Sequence, residues 1–505
     1  MTTKNLLGLS FAAAIALTGC NTEQECTTKS KQEPYKAEWT SLAKHNTPQW
    51  LMDAKFGMYC HWGPQSVQEA HRDADYKQTM DVVEAFDLWK AEKFDPAEWA
   101  QLFKETGAQF AGPIAEHCTG CLNWDSDISS WNSMNYGPKR DILGELAREI
   151  KKRDMKLMAS FHTVTYGSTW GEISKEDRTF MQPILEHDSI NRVDTRWLQG
   201  WVERVEEATT KYGVDLVWFD TSYGSTIGGD LRGFIDHGKY KHSGTPRTRI
   251  GSVHEAAQQQ MIANYFNYGL KENRDVEVVY KSYDIPYNIG MRDIENGNLD
   301  GAQYDPWMTD VNMLNIHQKY WTNWFYHPLC GIKDANFIVD MLIDVVSKNG
   351  RMLLSIPPKA DGSFPQAVVK ELKGIGEWMK INSEGIYATT PWCIYGEGPT
   401  FVKHPGHHGH TQARGNEMAK FTADDVRYTT KGRDIYAFVL GTPESGKSMF
   451  AALGSENKLY PGEIKDIVLL GSDAKIEWEH QADALVVNFP KDTKEQIAYC
   501  FKVIR

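Results

Sequence analysis

The 505-residue chain lacks a basic run, and its Asp and Glu outnumber Lys and Arg by 67 to 55, a formal charge of -12. A nucleic-acid partner is excluded on that balance, because phosphate binding needs clustered positive charge. Beyond the first twenty residues no stretch reaches the roughly 18 unbroken apolar residues of a spanning helix, so the body is expected to be soluble. Cysteine is scarce, at eight residues. Cys118 and Cys121 have the CxxC spacing of a zinc knuckle, but no second knuckle follows, and no thioredoxin-like setting surrounds them. No metal is expected. Aromatic residues are abundant, with 17 Trp and 22 Tyr, as in clefts that stack sugar rings and equally in large cores.

Residues 1–19 read as a targeting segment, with Lys4 ahead of an apolar run at 6–17 that is too short to span a bilayer. The run ends in Leu17-Thr18-Gly19-Cys20, which resembles the lipobox of bacterial lipoproteins, whose Cys is acylated. A plain secretion signal with a chance Cys is the alternative. With Cys20 used as an anchor, an odd number of cysteines remains, so they cannot all pair within one chain. Residues 20–34 are polar and aperiodic, as a flexible tether would be. The expected location is periplasmic or cell-surface, lipid-anchored to the bacterial outer membrane.

From 35 to 390 short apolar runs alternate with amphipathic stretches. Strands are expected at 55–60, 109–114, 156–161, 214–219, 276–280 and 351–356, with helices at 96–106, 141–153 and 194–212. Such alternation means a parallel sheet covered on both faces, and its repetition predicts an α/β fold of the (β/α)8-barrel type. Polar residues follow several strands: His61 and Trp62, Glu116 and His117, His162, and Asp220. A barrel would gather them at the carboxyl ends of its strands, where such folds carry their chemistry. Turns and caps favour Ser, Asn and Gly, which explains His and Trp badly. Residues 391–505 instead alternate short strands with Gly, Pro, Asp and Asn turns, predicting a C-terminal β-sandwich. The histidine-rich loop 404–410 could bind metal, but reads more simply as an inert loop or a rim of the cleft.

Hydrolysis of a glycosidic bond with retention needs two carboxyl groups about 5–5.5 Å apart, one an ionised nucleophile and one a proton donor. The fourth strand ends in Leu216-Val217-Trp218-Phe219-Asp220, which puts a carboxylate at the expected catalytic mouth. A strand-end Asp also caps helices, so this signal needs company. It has three partners in register. Lys55-Phe56-Gly57-Met58-Tyr59-Cys60-His61-Trp62-Gly63 is one. Gly107 to His117 followed by Trp124-Asp125-Ser126 is the second, and Val345-Val346-Ser347-Lys348-Asn349-Gly350 running on to Asp361-Gly362 is the third. Together these resemble glycoside hydrolase family 29, the retaining α-L-fucosidases, from about Lys55 to Trp392, with a trailing β-sandwich.

The resemblance implies that Asp220 is the nucleophile. It implies that His61 and His117 hydrogen-bond sugar hydroxyls and that Trp62 shapes the pocket floor. Glu116, His162, Trp218, Trp307, Asp75, Tyr76 and Cys118 complete the expected sugar contacts. For the acid/base the segment Met291-Arg292-Asp293-Ile294-Glu295-Asn296-Gly297, ahead of Pro306-Trp307-Met308-Thr309-Asp310, nominates Glu295, with Asp293 and Glu277 as rivals. Burial and the charge of Asp220 would raise its pKa. No cofactor is implied, since two carboxyls and water suffice; the partner is an oligosaccharide or glycan.

The chain also departs from the family pattern. Asn296 replaces an Arg, Cys118 stands where the family's second His binds hydroxyls, Cys121 replaces a Phe, and Asp75 takes the place of a Trp. A thiol is a weak hydrogen-bonding group. A carboxylate suits a hydroxymethyl better than the methyl of fucose. Three readings therefore stand: an exo-acting α-L-fucosidase, an α-L-galactosidase acting on algal (sulfated) galactan oligosaccharides, and a surface lipoprotein that binds glycans without cleaving them.

Overall fold

The computed structural model describes residues 33–72, 80, 82–117, 119–162, 195–221, 252–281, 285–315, 324–402, 420–459 and 462–505. Cys20, Asp75, Tyr76, Cys118 and the loop 404–410 lie outside the described residues.

Eight strands close into a barrel in chain order. They are β1 (Phe56–Cys60), β2 (Phe110–Glu116), β3 (Lys156–His162), β4 (Leu216–Thr221), β5 (Glu277–Tyr280), β6 (Met291–Asp293), β7 (Trp307–Asn312) and β8 (Gly350–Ser355). Every neighbouring pair is parallel, and β8 returns to β1 with Phe56 opposite Met352. Successive side chains alternate between the barrel interior and the covering helices. The interior is filled by Tyr59, Phe110, Ile114, Met158, Leu216, Trp218, Val279, Met291, Met308 and Leu353. Packing is tight enough that a Cβ on Gly112 would meet the carbonyl oxygen of Met158 at 1.8 Å.

The helices begin where the sequence offers caps. Asp95 accepts from the amides of Ala97 and Glu98, opening the helix Pro96–Thr106, and Gly107 closes it at φ +105°. Asp141 likewise accepts from the Gly144 amide ahead of Ile142–Lys151.

Strands β6 and β7 are not among the strands expected from the sequence. β6 is only three residues long, and β7 buries Thr309, Asp310 and Asn312, so neither presents an apolar run.

After the barrel come β9 (Thr390–Glu397), β10 (Val426–Lys431), β11 (Asp434–Val439), β12 (Lys447–Phe450), β13 (Asp466–Leu469), β14 (Trp478–His480), β15 (Leu485–Asn488) and β16 (Tyr499–Ile504). They form a five-stranded sheet in the order β13-β16-β11-β10-β9 and a three-stranded sheet in the order β12-β15-β14, with antiparallel pairing throughout. The two sheets share a core that includes Tyr428, Ile435 and Phe501 from one and Phe450, Leu485 and Val487 from the other. That is the layered arrangement expected from the alternating pattern. Among the described residues no helix is long and apolar enough to cross a membrane.

Barrel and sheets belong to one compact unit, Tyr35–Arg505. A buried ion cluster joins them. Arg427 on β10 donates to Asp344 Oδ1 at 2.5 Å, and Lys348 reaches Asp344 Oδ2 at 2.6 Å. Asn298 donates to the same oxygen at 2.6 Å. Removing one partner of a buried pair strands the other charge, a cost of about 3–5 kcal/mol. Arg427→Ala is therefore expected to lower unfolding stability by that amount in urea titrations; a loss of less than about 1 kcal/mol would show that the cluster does not join the two parts.

Candidate active site

The carboxyl ends of the strands bring together residues that are far apart in sequence. His61 follows β1, His117 follows β2, His162 ends β3, Asp220 lies near the end of β4, Lys281 follows β5, Glu295 follows β6, Asp310 lies on β7, and Ser355 ends β8.

At their centre is Lys281. Its Nζ lies 2.8 Å from Asp220 Oδ1, 2.8 Å from Glu295 Oε2 and 3.1 Å from Asp310 Oδ2. The same nitrogen lies 4.6 Å from the Trp218 ring centre and 5.5 Å from that of Trp324, within cation–π range. Burial works to lower the Lys281 pKa. The carboxylates Asp220, Asp310, Glu295 and Asp293 more than offset it and hold the ammonium well above its usual range. Sequence reasoning missed this residue. The signal was available: Lys281 is the polar residue directly after an apolar strand, the same position as His61 and His117.

Glu295 reaches the ammonium because its loop is pinned. Asn296 adopts φ +46°, a left-handed conformation that Asn tolerates better than most residues. Its amide donates to the Asp310 carbonyl at 2.8 Å, and its Oδ1 accepts from the Asn312 amide at 3.0 Å. Thr309 Oγ1 bonds the carbonyls of Ile294 and Gly297. Asn296 in place of Arg is thus part of the turn that aims Glu295.

Exposure separates the carboxyls. The Asp220 side chain is 22% exposed, that of Glu295 7% and that of Asp310 0%, so Asp220 is the one most open to an incoming ligand. Asp310 accepts from Tyr59 Oη at 3.0 Å. Burial, and then the charge of Asp293, pushes Asp310 well above the usual carboxylate range; burial also raises Asp293. Like charges in a dry interior favour one shared proton. The rival Glu277 is at the other end of β5, fully buried and 3.6 Å from His45. Burial lifts it to about 7, but it cannot act beside Asp220. Asp293 sits inside the barrel against Asp310. Of the three candidates, only Glu295 shares a hydrogen-bonded ammonium with Asp220.

Three histidines line the opposite wall. His162 Nε2 is 3.6 Å from Asp220 Oδ2, and its ring centre is 4.0 Å from that of His117. His61 Nδ1 pairs with Ser355 Oγ at 2.8 Å, and His117 Nδ1 with Gln65 Nε2 at 3.0 Å. Burial, then the charge of His117 on His61 and of His162 on His117, holds both well below the usual range; burial also lowers His162. All three are neutral near pH 7; with Nδ1 of His61 and His117 already engaged, Nε2 is the nitrogen each of those rings can turn to a hydroxyl group. Trp324, tilted, and Phe325, edge-on, pack beside them, with ring centres 4.8 Å and 5.5 Å from His61. The sequence had not suggested either aromatic.

Ligand atoms of the three histidines lie within 4.8 Å of one another. Cys121 is buried, and burial raises its thiol well above the usual range, opposite to a metal-binding thiolate.

Three expected sugar contacts are otherwise engaged. Glu116 forms a fully buried two-point pair with Arg204, at 3.1 Å through each oxygen, and so anchors the helix Thr195–Tyr212. Trp62 donates to the Lys359 carbonyl and packs among Trp89, Phe94 and Trp99. Trp307 opens β7 at the amino-terminal end of the barrel and donates to the Lys348 carbonyl. Trp218 remains at the site, but beneath Lys281 rather than on the surface.

Residues 22–384 match the family model described as alpha-L-fucosidase, and residues 419–504 match the one for the alpha-L-fucosidase C-terminal domain. The chain is 24% identical to tissue alpha-L-fucosidase of Homo sapiens, over 90% of this chain and 88% of that protein. It is also 24% identical to alpha-L-fucosidase of Branchiostoma floridae, over 92% and 94%. Among solved structures, the Thermotoga maritima alpha-fucosidase complex with fucose superposes with a TM-score of 0.66 at 21% identity, covering 93% of this chain and all of that one. A Bacteroides thetaiotaomicron alpha-L-fucosidase superposes at 0.63 with 18% identity, covering 91% and 95%.

Proposed function

The chain belongs to the alpha-L-fucosidase family, and from that premise we propose that it is an exo-acting glycoside hydrolase that releases a terminal α-L-fucose-type sugar with retention of configuration. One observation carries the retaining mechanism. Asp220 and Glu295 each lie 2.8 Å from the same nitrogen, so those two oxygens are no farther apart than twice that distance. That upper bound lies below the roughly 6.5–9.5 Å of an inverting pair and admits the about 5–5.5 Å of a retaining one.

In this reading Asp220 attacks the anomeric carbon, and Glu295 protonates the departing oxygen. Water then frees the sugar with Glu295 as base. His61, His117 and His162 bind the hydroxyls, and Trp324 and Phe325 cover an apolar edge of the ring. Retention of both carboxyls argues against a binding protein without activity. Asp220→Asn keeps the shape but removes the nucleophile. It is expected to lower kcat on a nitrophenyl α-L-fucoside by about 10³-fold or more, with an unchanged melting temperature. Near-full activity in that variant would end the assignment.

The α-L-galactoside reading rests on Cys118 and Asp75, which replace the family's His and Trp. Cys118→His is expected to raise the kcat/KM ratio of fucoside over L-galactoside by about tenfold. A constant ratio would remove this alternative. The anchor at Cys20 rests on the lipobox resemblance alone. Cys20→Ser should move the protein from the membrane fraction to the soluble one, and an unchanged distribution would count against lipidation.

A further inference from the structure

A cation placed between a nucleophile and an acid poses a problem for the proposed reaction. The first half-reaction needs Asp220 charged and Glu295 protonated, yet an ammonium 2.8 Å from each favours the charged form of both. The bookkeeping of protons resolves it. When Asp220 bonds to the anomeric carbon, the glycosidic bond breaks and the departing oxygen takes the proton of Glu295. Asp220 becomes a neutral ester, and Glu295 becomes the anion. In the second half a water oxygen bonds to that carbon, the water's proton goes to Glu295, and Asp220 leaves as the anion. The two groups together carry one negative charge before and after each half. Only its position changes, from one neighbour of Lys281 to the other, at equal distance.

We infer that Lys281 is a positioning residue that stays charged throughout the cycle and exchanges its ion-pair partner, from Asp220 to Glu295, as the covalent sugar forms. The inference rests on the retaining reading above. Its chemical advantage is that a fixed cation serves both halves without moving, so little reorganisation opposes either step. The surroundings keep it fixed. Asp310 on β7 holds the third side of the ammonium at 3.1 Å and is itself held by Tyr59 on β1. Asp293 on β6 adds its charge. Trp218 on β4 and Trp324 pack against it. His61, His117 and His162 lie near enough to feel its charge, and all three are neutral near pH 7.

The test is the pH profile of kcat/KM in the full-length protein. Losing the cation makes both carboxyls harder to ionise, so the acid limb set by Asp220 and the alkaline limb set by Glu295 move to higher pH together. Lys281→Met and Lys281→Gln are each expected to shift the whole bell upward by about one to three units. Lys281→Arg keeps the charge and should keep the bell in place while lowering kcat. A merely structural lysine would lower kcat in the neutral variants and leave their bells unmoved, which would overturn the inference. If both neutral variants unfold, the Arg protein still decides, because a shifted bell there contradicts a role that depends on charge alone. Failure of the retaining reading itself would show separately, as release of the β-anomer first from an α-L-fucoside.

Discussion

Four carboxylates converge inside the barrel of this protein, and one ammonium faces all of them. Without Lys281 the mutual repulsion of Asp220, Glu295, Asp293 and Asp310 in a low-dielectric interior would force protons onto most of them. With it, the most exposed carboxyl can stay charged at the mouth while the deepest pair shares a proton below. The surrounding fold serves that balance. Eight strands set eight side chains around one rim, and the pinned turn at Asn296 brings Glu295 back over β7.

How legible this was in the sequence depends on what each strand buries. β1 to β5 and β8 carry apolar runs, so their positions could be read to within a few residues. β6 and β7 could not be found that way, because a three-residue strand and one with buried Thr309, Asp310 and Asn312 carry no hydrophobic period. The same property hid part of the site. Asp310 was quoted only as part of the motif that nominates Glu295, and Lys281 drew no attention because a lysine after a strand looks like a solvated one. Only the closed barrel shows that it points inward.

The expected sugar contacts divide along a physical line. His61, His117, His162 and Asp220 follow or end their strands and project into the mouth. Glu116, Trp62 and Trp307 belong to the same motifs, but the hydrogen-bonding groups of each are held by a specific partner within the fold. Motif membership marks what the fold needs as well as what the chemistry needs, and the sequence alone does not separate the two. Arg427 and Asp344 make the same point at the junction with the sheets, where buried charges have an architectural role.

The retaining assignment has one direct measurement. Proton NMR of an α-L-fucoside mixed with enzyme, recorded before mutarotation, reports the configuration of the first sugar released. Attack by Asp220 followed by water gives the α-anomer first. If the β-anomer is released first, a single displacement by water has occurred, and the pairing of Asp220 and Glu295 across Lys281 does not have the meaning assigned to it.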